Sequence, residues 1–465
     1  MASPSRAVDP LATLARRLGP LDAAAIVVSN VIGGGIFFVP VLVAQLVPDG
    51  RALLLVWGAG GALAFTGAMA YAELAALRPR AGGEYVYLRE AYGPLAAFLT
   101  GWTSFVAGFS GAIAASAMAL ADYAGRFVPG AADGTPIVTL PLPLMPLIVS
   151  RRTIVALLAI AALTCVHVRG LGPGRLVQNT LGGAKVAALI AFIIVGFAIG
   201  HGHGAPLAAS AGVRLPGLLM AFIPVMFTYS GWNAAVYVAE EVRSPERNVP
   251  LALGLGTLGV VAIYLGLNAL YLHALSAPQL GGVQGARLID TVAERLFGFA
   301  AGDLLAVFTI VSIAASVSAM IIAGPRVYFA MARDGLFPAT AARIHRRFRV
   351  PVAAVIAQSI WSGVLVLSGT LAQLVSYTGF ALVLFSGVAV SAVFVLRRRA
   401  PDAARPFRAW GYPWAPATFV AASALMIANE IWRSPGPAVA GLAVIASGLP
   451  VYWWHARGEP GASSQ

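Results

Sequence analysis

"NVIGGGIFFVP", residues 30–40, interrupts an apolar run that is long enough to cross a membrane. A glycine in a helix interior costs about 1 kcal/mol relative to alanine, so Gly33, Gly34 and Gly35 predict a break in the helix. Within lipid, such a break leaves amide and carbonyl groups without water to bond. Three glycines at this depth therefore favour one of two interpretations: close helix packing, or a site that binds a ligand through the backbone.

The composition around this segment is that of a polytopic membrane protein. Of the 465 residues, 59% are hydrophobic and 11% are charged, whereas soluble proteins carry about 25% charged residues. The 30 arginines cluster between apolar segments, which is typical of topology signals and not of a nucleic-acid-binding surface. The single cysteine, Cys165, excludes an intramolecular disulfide.

Apolar runs of about 20 residues predict membrane-spanning helices, and the chain contains twelve such runs. They lie at about 23–47, 52–77, 92–123, 151–169, 176–200, 216–241, 250–274, 300–332, 352–369, 372–397, 413–432 and 436–455. With both termini on the inner side, 22 arginines fall at inner ends and loops and 8 fall outside. The excess of inner arginines predicts cytoplasmic termini.

The sixth span contains a second interruption. Pro224 precedes the polar and small segment TYSGWN, residues 228–233, near the middle of this span. Spans 1 and 6 would begin two five-helix halves, and an odd number of helices gives the halves opposite orientations. Paired interruptions at matching positions indicate an inverted-repeat transporter with its site at the membrane midplane.

We therefore predict four segments along the chain. Residues 1–22 form a cytoplasmic N-terminal segment, residues 23–200 the first repeat, and residues 201–397 the second repeat. Residues 398–465 contain helices 11 and 12 and a cytoplasmic C-terminus. Broken helices expose N–H and C=O groups with partial charges of about +0.5 and −0.5, which could bind a zwitterion without a charged side chain.

Six motifs, spread in order over nearly the whole chain, resemble those of amino acid–polyamine–organocation permeases, in the branch of L-type amino acid transporters and their bacterial members. They are GGGIF (33–37), YAEL (71–74), GGEYVY (82–87), FTYSGWN (227–233), EEVRSPERNVP (240–250) and LRRRAPDAARPFRAWGYPWAP (396–416). The resemblance implies an all-α fold of 12 transmembrane helices. It further implies a five-plus-five inverted repeat, first defined in a leucine transporter, with helices 1 and 6 discontinuous. The membrane would be a bacterial inner membrane.

The resemblance also implies a substrate site at the two breaks. Its residues are Val31, Gly33, Gly34, Gly35, Phe227, Ser230, Trp232 and Asn233. The amides of Gly34 and Gly35 would bind the substrate carboxylate, and the carbonyls of Val31, Phe227 and Ser230 would bind its ammonium group.

Three side chains of the sixth span would shape this site. Phe227 would act as a gate over the substrate, and Trp232 and Asn233 would line the pocket. Two alternatives stay open, because Trp232 could be a packed aromatic residue and Asn233 could form a hydrogen bond between spans.

Lys185, the only lysine, lies deep within the fifth span and needs carbonyl or carboxylate partners there. The surrounding segment, residues 178–189, resembles the fifth helix of sodium-independent relatives. In these a lysine fills the space that holds an ion in sodium-coupled relatives. The resemblance implies transport without sodium, with Lys185 either a fixed structural cation or a residue that exchanges a proton.

The four candidates for an inner gate are Glu73, Glu240, Glu241 and Arg326. Glu240 and Glu241 end the sixth span and are expected to face Arg326 or Arg333. Glu73, near the inner end of span 2, is expected to be a gate residue or a packing partner of an inner arginine, with proton carriage as the alternative.

The predicted function is secondary active transport of neutral L-amino acids, by sodium-independent exchange or by proton-coupled uptake. A neutral substrate is favoured because the sequence places no acidic residue near the predicted pocket. The alternatives are a carrier of cationic amino acids or polyamines, and a channel. An enzyme would need clustered nucleophiles, bases or metal ligands at membrane depth, so we expect no enzymatic activity, metal or cofactor.

The expected partners are the amino acid substrate and the lipid bilayer, and not nucleic acid. Eukaryotic light subunits of this family bond to a heavy subunit through a cysteine in the outer loop after helix 3. The corresponding loop here, residues 126–150, contains no cysteine, so a disulfide-linked heavy subunit is not expected. The sequence leaves the oligomeric state open.

Overall fold

A computed structural model describes residues 14–141, 146–202, 215–283, 288–298, 302–368, 371–433 and 435–457. Residues 1–13 of the predicted N-terminal segment and the last eight residues of the predicted C-terminal segment lie outside the described residues. The described chain is mostly helical. Its two short strands, β1 (Val138–Leu140) and β2 (Leu147–Val149), pair antiparallel, with Thr139 opposite Ile148.

The α-helices are numbered in chain order. The first ten are α1 (Pro20–Val31), α2 (Val39–Leu46), α3 (Gly50–Leu77), α4 (Glu84–Tyr92), α5 (Pro94–Thr103), α6 (Phe109–Ala124), α7 (Arg151–Val168), α8 (Leu171–Ile199), α9 (Leu215–Tyr229) and α10 (Ala234–Tyr237). The others are α11 (Pro245–Ala274), α12 (Ala277–Gly281), α13 (Leu288–Phe297), α14 (Gly302–Arg333), α15 (Val352–Leu367), α16 (Leu371–Arg399), α17 (Trp414–Arg433), α18 (Pro435–Ala446) and α19 (Gly448–Arg457). Short 3-10 turns occur at Gly35–Phe37, Ala239–Glu241 and Ala339–Ala342, and a π-helical turn, Ser104–Gly108, joins α5 to α6.

Eight helical segments of the described chain are long and apolar enough to cross a membrane by length and composition. Three shorter apolar helices, Pro20–Val31, Pro216–Tyr229 and Val352–Leu367, lie in further predicted spans. The prediction of a helical, polytopic membrane protein is thus confirmed, whereas the count of twelve spans stays a prediction.

Both interruptions that the sequence indicates are present in the backbone. In the first span, α1 ends at Val31, a single 3-10 turn follows at Gly35–Phe37, and α2 begins at Val39. In the sixth span, α9 ends at Tyr229 and α10 begins at Ala234. Gly231 has φ +96° within the second break, a conformation that favours glycine.

Helices at equivalent places in the two predicted halves pack against each other. Span 2 (α3) contacts span 7 (α11), span 3 (α6) contacts span 8 (α14), and span 4 (α7) contacts span 9 (α15). The first-span helix α1 lies among α8, α11 and α14. This packing brings the fifth, seventh and eighth spans to the first break, although the inverted repeat itself stays a prediction.

Candidate functional site

Gly34 lies beside open space in the first break. Its φ of −64° and ψ of −26° suit any residue, and a Cβ added there would meet nothing within 4 Å. Neither backbone strain nor tight packing therefore accounts for a glycine at this position. Gly35 differs, because its Cβ would lie 3.2 Å from the Thr228 side chain. At Gly33 a Cβ would make an ordinary contact, 3.8 Å from Ser316 Oγ.

The two amides that the sequence analysis assigned to a carboxylate have no acceptor among the described residues. Gly33 N–H donates to the Val31 carbonyl at 2.8 Å, but no hydrogen bond from the N–H groups of Gly34 or Gly35 is present in the described part of the chain. The start of a helical turn leaves such N–H groups unpaired. Unpaired amides next to open space give an anion both donors and room.

Tyr264 of α11 connects the two breaks, and sequence reasoning missed it. Its hydroxyl lies 2.9 Å from the Val31 carbonyl and 3.1 Å from the Thr228 carbonyl. The only sequence signal was a hydroxyl within an apolar span, which must find a partner when buried. With Gly33 N–H bonded as well, the Val31 carbonyl can receive an ammonium group only if Tyr264 turns to Thr228.

The second break holds the other two predicted ammonium acceptors. The Phe227 carbonyl accepts hydrogen bonds from Ser230 N–H at 3.1 Å and Ser230 Oγ at 2.6 Å. No donor in the described segments bonds the Ser230 carbonyl. Asn30 Nδ2 donates to the Gly231 carbonyl at 3.3 Å and so ties this break to the end of α1. Of the three predicted carbonyls, that of Ser230 is the one open to a ligand in this conformation.

A pocket that opens to the outside borders the second break. Its lining comes from the sixth span, α16 and α17, and comprises Met226, Phe227, Ser230, Gly231, Trp232, Asn233, Gly379, Leu382, Val383, Ser386, Phe419, Ser423 and Met426. No residue of the first break lines it. The pocket therefore reaches four of the eight predicted site residues and leaves the glycines and Val31 outside.

Trp232 and Asn233 are buried and engaged with other spans. The Trp232 ring packs edge-on against the rings of Tyr71 and Phe419, with distances of 4.8 Å and 5.7 Å between the ring centroids. Asn233 Nδ2 donates to Glu84 Oε1 at 2.6 Å and to the Tyr237 hydroxyl at 3.0 Å. Both thus have the contacts of the alternative interpretations as well as a place in the pocket wall. The expectation of no acidic residue near this wall was wrong, because Glu84 lies against Asn233.

Lys185 lies at the first break and is fully buried. Its Nζ donates to the carbonyls of Ile32 and Ser29, the latter at 3.2 Å, and lies 2.9 Å from Ser316 Oγ. Because hydrogen bonds from a charged donor are among the strong ones, this contact ties α8 and α14 to the end of α1. A part for Lys185 in coupling stays a prediction.

The four predicted gate residues fall into two separate sites. Arg326 forms a bidentate pair with Glu241, at 2.7 and 3.1 Å, with side chains 3% and 0% exposed. Arg333 Nη1 lies 3.1 Å from Glu240. We call Glu240, Glu241, Arg326 and Arg333 the gate cluster.

Glu73 lies outside the gate cluster. It accepts hydrogen bonds from Arg397 at 2.8 and 2.6 Å and from the Ala409 N–H at 2.7 Å. These contacts tie α3 to the end of α16 and the following loop. Glu73 therefore has the contacts of a packing partner of an inner arginine, one of its predicted roles.

We expect Glu241→Gln to destabilise the protein by about 3–5 kcal/mol, because it leaves the Arg326 charge buried without a partner. Thermal denaturation of the purified protein in detergent measures this loss. The double variant Glu241→Gln/Arg326→Met should recover most of it. Glu240→Gln is the matched control, since its partner is 37% exposed and the expected loss is below about 1 kcal/mol. A double variant no more stable than the single one would contradict the prediction.

The chain matches a known protein family over most of its length. The family model for amino acid permeases matches residues 18–454, almost the whole chain. The chain belongs to the amino acid permease family. The resemblance to amino acid–polyamine–organocation permeases, in the L-type branch, is thereby confirmed, and the protein is an amino acid transporter of the membrane.

Three relatives illustrate this membership. The large neutral amino acids transporter small subunit 2 of Homo sapiens is 29% identical over 457 residues, covering 95% of this chain and 82% of the relative. The serine/threonine exchanger SteT of Bacillus subtilis is 28% identical, and the match covers 95% of this chain and 97% of the relative. The Asc-type amino acid transporter 1 of Mus musculus is 28% identical, and the match covers 95% of this chain and 81% of the relative. This permease therefore aligns with nearly the full length of a bacterial exchanger.

Proposed function

We propose that this permease carries neutral L-amino acids across the membrane by alternating access, without sodium, either in exchange or together with protons. The observation that carries the proposal is the open space beside Gly34, next to two amides without a described acceptor. A substrate carboxylate fits this place, because it needs donors and positive partial charge but no cationic side chain. The Ser230 carbonyl of the second break, which accepts no hydrogen bond from the described residues, would be the acceptor for the ammonium group.

The names of the relatives support a neutral substrate and an exchange mode. They describe a transporter of large neutral amino acids and an exchanger of serine and threonine. The apolar lining of the pocket beside Phe227 suits an uncharged side chain. One observation favours a cationic substrate instead, namely the Glu84 carboxyl behind Asn233.

Sodium independence rests on Lys185. Its ammonium group lies against the carbonyls of Ser29 and Ile32 and the hydroxyl of Ser316. These are the oxygen ligands that a sodium ion would need at the break, and the cation of the side chain already occupies them. A second cation at this place would be repelled at short range.

The membrane arrangement is proposed with the function. The packing of α3 on α11, α6 on α14 and α7 on α15 supports two related halves of residues 23–200 and 201–397. The arginine distribution supports cytoplasmic termini, and we propose a bacterial inner membrane as the location. The single cysteine lies in α7, and no cysteine is present in residues 126–150. We therefore propose that the permease works without a disulfide-linked heavy subunit.

Uptake of labelled amino acid into liposomes tests this proposal. Vesicles with purified protein are loaded with unlabelled serine or left empty, and sodium is replaced by choline outside. We expect saturable uptake, competition by alanine and leucine, and no effect of choline. Exchange predicts faster uptake into loaded vesicles. Competition by arginine or putrescine alone would make the substrate cationic, and strict dependence on sodium would exclude the role given to Lys185.

A further inference from the structure

Glu84 is a buried carboxyl group that the proposed transport cycle does not yet use. It is the first residue of α4 and is 6% exposed. Its Oε1 accepts hydrogen bonds from the Tyr71 hydroxyl and from Asn233 Nδ2, both at 2.6 Å. Asn233 is also the N-cap residue of α10, the short helix that follows the second break. Glu84 is therefore one hydrogen bond away from the interrupted part of the sixth span.

The segment before Glu84 lies against the gate cluster. Ala81 N–H donates to Glu240 at 3.2 Å, and Gly82 N–H donates to the Tyr237 carbonyl at 3.2 Å. Glu84 thus lies between the second break and the ion pairs of Glu240 and Glu241. Separation of these pairs would bring water toward the Glu84 carboxyl from that end of the sixth span.

Glu84 has no basic partner within the described part of the chain, unlike the other buried carboxyls near it. Glu73 pairs with Arg397, and Glu241 pairs with Arg326. A buried carboxylate without a countercharge is unfavourable, so a carboxyl in this place readily holds a proton.

The described side chains of the neighbouring elements offer no charge to replace such a partner. The titratable groups that face Glu84 are the phenols of Tyr71 on α3, Tyr87 on α4 and Tyr237 on α10. Arg326 on α14 forms an ion pair with Glu241, and Arg397 on α16 forms one with Glu73. Arg89 on α4 forms an ion pair with Asp334. The sequence of α5 contains no titratable residue.

The balance of these contacts favours the neutral form of Glu84. Burial raises the pKa of the Glu84 carboxyl, and hydrogen bonds from Tyr71, Asn233 and Tyr237 act in the opposite direction. Because the pKa is raised, protonated Glu84 is favoured as the pH falls, and the carboxylate forms as the pH rises through the raised value. The phenols stay neutral over this range, so Glu84 is the group of this cluster that changes charge.

We propose that Glu84 binds and releases a proton during transport and that Asn233 carries the change to the break of the sixth span. The proton comes from water on one side of the membrane, adds to the carboxylate, and returns to water on the other side. In the ionised form, Asn233 Nδ2 donates to a charged oxygen, and protonation weakens this hydrogen bond. The inference rests on the proposed function and assigns its proton coupling to this site.

Transport by Glu84→Gln tests the inference, because glutamine keeps the shape and the hydrogen-bonding oxygen but cannot ionise. We expect an acidic exterior to stimulate net uptake several-fold by the unmodified protein and to leave the variant unaffected, while exchange continues in both. Glu90→Gln is the matched control on the same helix, since the Glu90 side chain is 31% exposed and paired with Arg78. Stimulation that survives in Glu84→Gln, or its absence in the unmodified protein, would overturn the proposal.

Infrared spectroscopy separates this inference from the proposed function. Purified protein titrated in detergent should show the carbonyl band of a protonated carboxylic acid that disappears at higher pH. The band should be missing in Glu84→Gln and present in Glu90→Gln. This result does not depend on transport, so a failure of exchange would refute the proposed function alone. If Glu84→Gln lost uptake of arginine but kept the response of net uptake to pH, Glu84 would be a residue that recognises a cationic substrate. That result would overturn the proposal.

Discussion

Gly34→Leu is expected to abolish substrate binding while the protein stays folded. The φ of −64° at Gly34 suits leucine, and the space beside it is open, so the fold can accept the side chain. The same side chain would fill the place proposed for the substrate carboxylate. A hydrogen bond to a charged group contributes about 1.5–3 kcal/mol. Losing two such bonds should lower the affinity at least about 100-fold, at about 1.4 kcal/mol per tenfold.

Two measurements decide this prediction. Binding of labelled substrate to the purified protein gives the affinity, and thermal denaturation shows whether the variant is folded. Gly183→Leu is the matched control, because Gly183 is exposed on α8 and its Cβ would also meet nothing within 4 Å. We expect this control to bind normally. Unchanged affinity in Gly34→Leu would remove the carboxylate from this place.

Lys185→Met is expected to reduce transport at least about 100-fold. The change removes the charged donor from the carbonyls of Ser29 and Ile32 and from Ser316 Oγ. Each lost charged hydrogen bond costs about 1.5–3 kcal/mol, and the carbonyls stay buried without this donor. The end of α1 then loses its connection to α8, so the first break should no longer hold the arrangement that binds substrate.

The rate of exchange in liposomes measures the effect, with expression and thermal stability recorded for the same preparations. Ser316→Ala is the comparison variant, because it keeps the cation and both carbonyl contacts. We expect a smaller loss of rate than for Lys185→Met, because one of the three hydrogen bonds from Nζ is removed and the two to the carbonyls stay. Equal exchange by Lys185→Met and the unmodified protein would show that the lysine is dispensable.

Much of the site's position was predictable because the energetic cost of interrupting a helix in lipid is local. Glycine at 33–35 and the polar segment at 228–233 each mark a break, and the backbone is interrupted in both segments. The position of Lys185 within an apolar span also demanded oxygen partners, although not which ones. Sequence reasoning missed Tyr264 and Glu84, since their importance comes from contacts and not from local pattern.

The sequence by itself determined the membrane class, the family and the two places where helices break. Composition, hydropathy and glycine propensity act over a few residues or one span, so they can be read along the chain. Only the tertiary structure decided that Glu84 bonds Asn233, 149 positions away, and that Glu73 pairs with Arg397, 324 positions away. Such pairs depend on how the helices pack. Many carboxylates and arginines satisfy the same local pattern, and packing alone selects which of them meet.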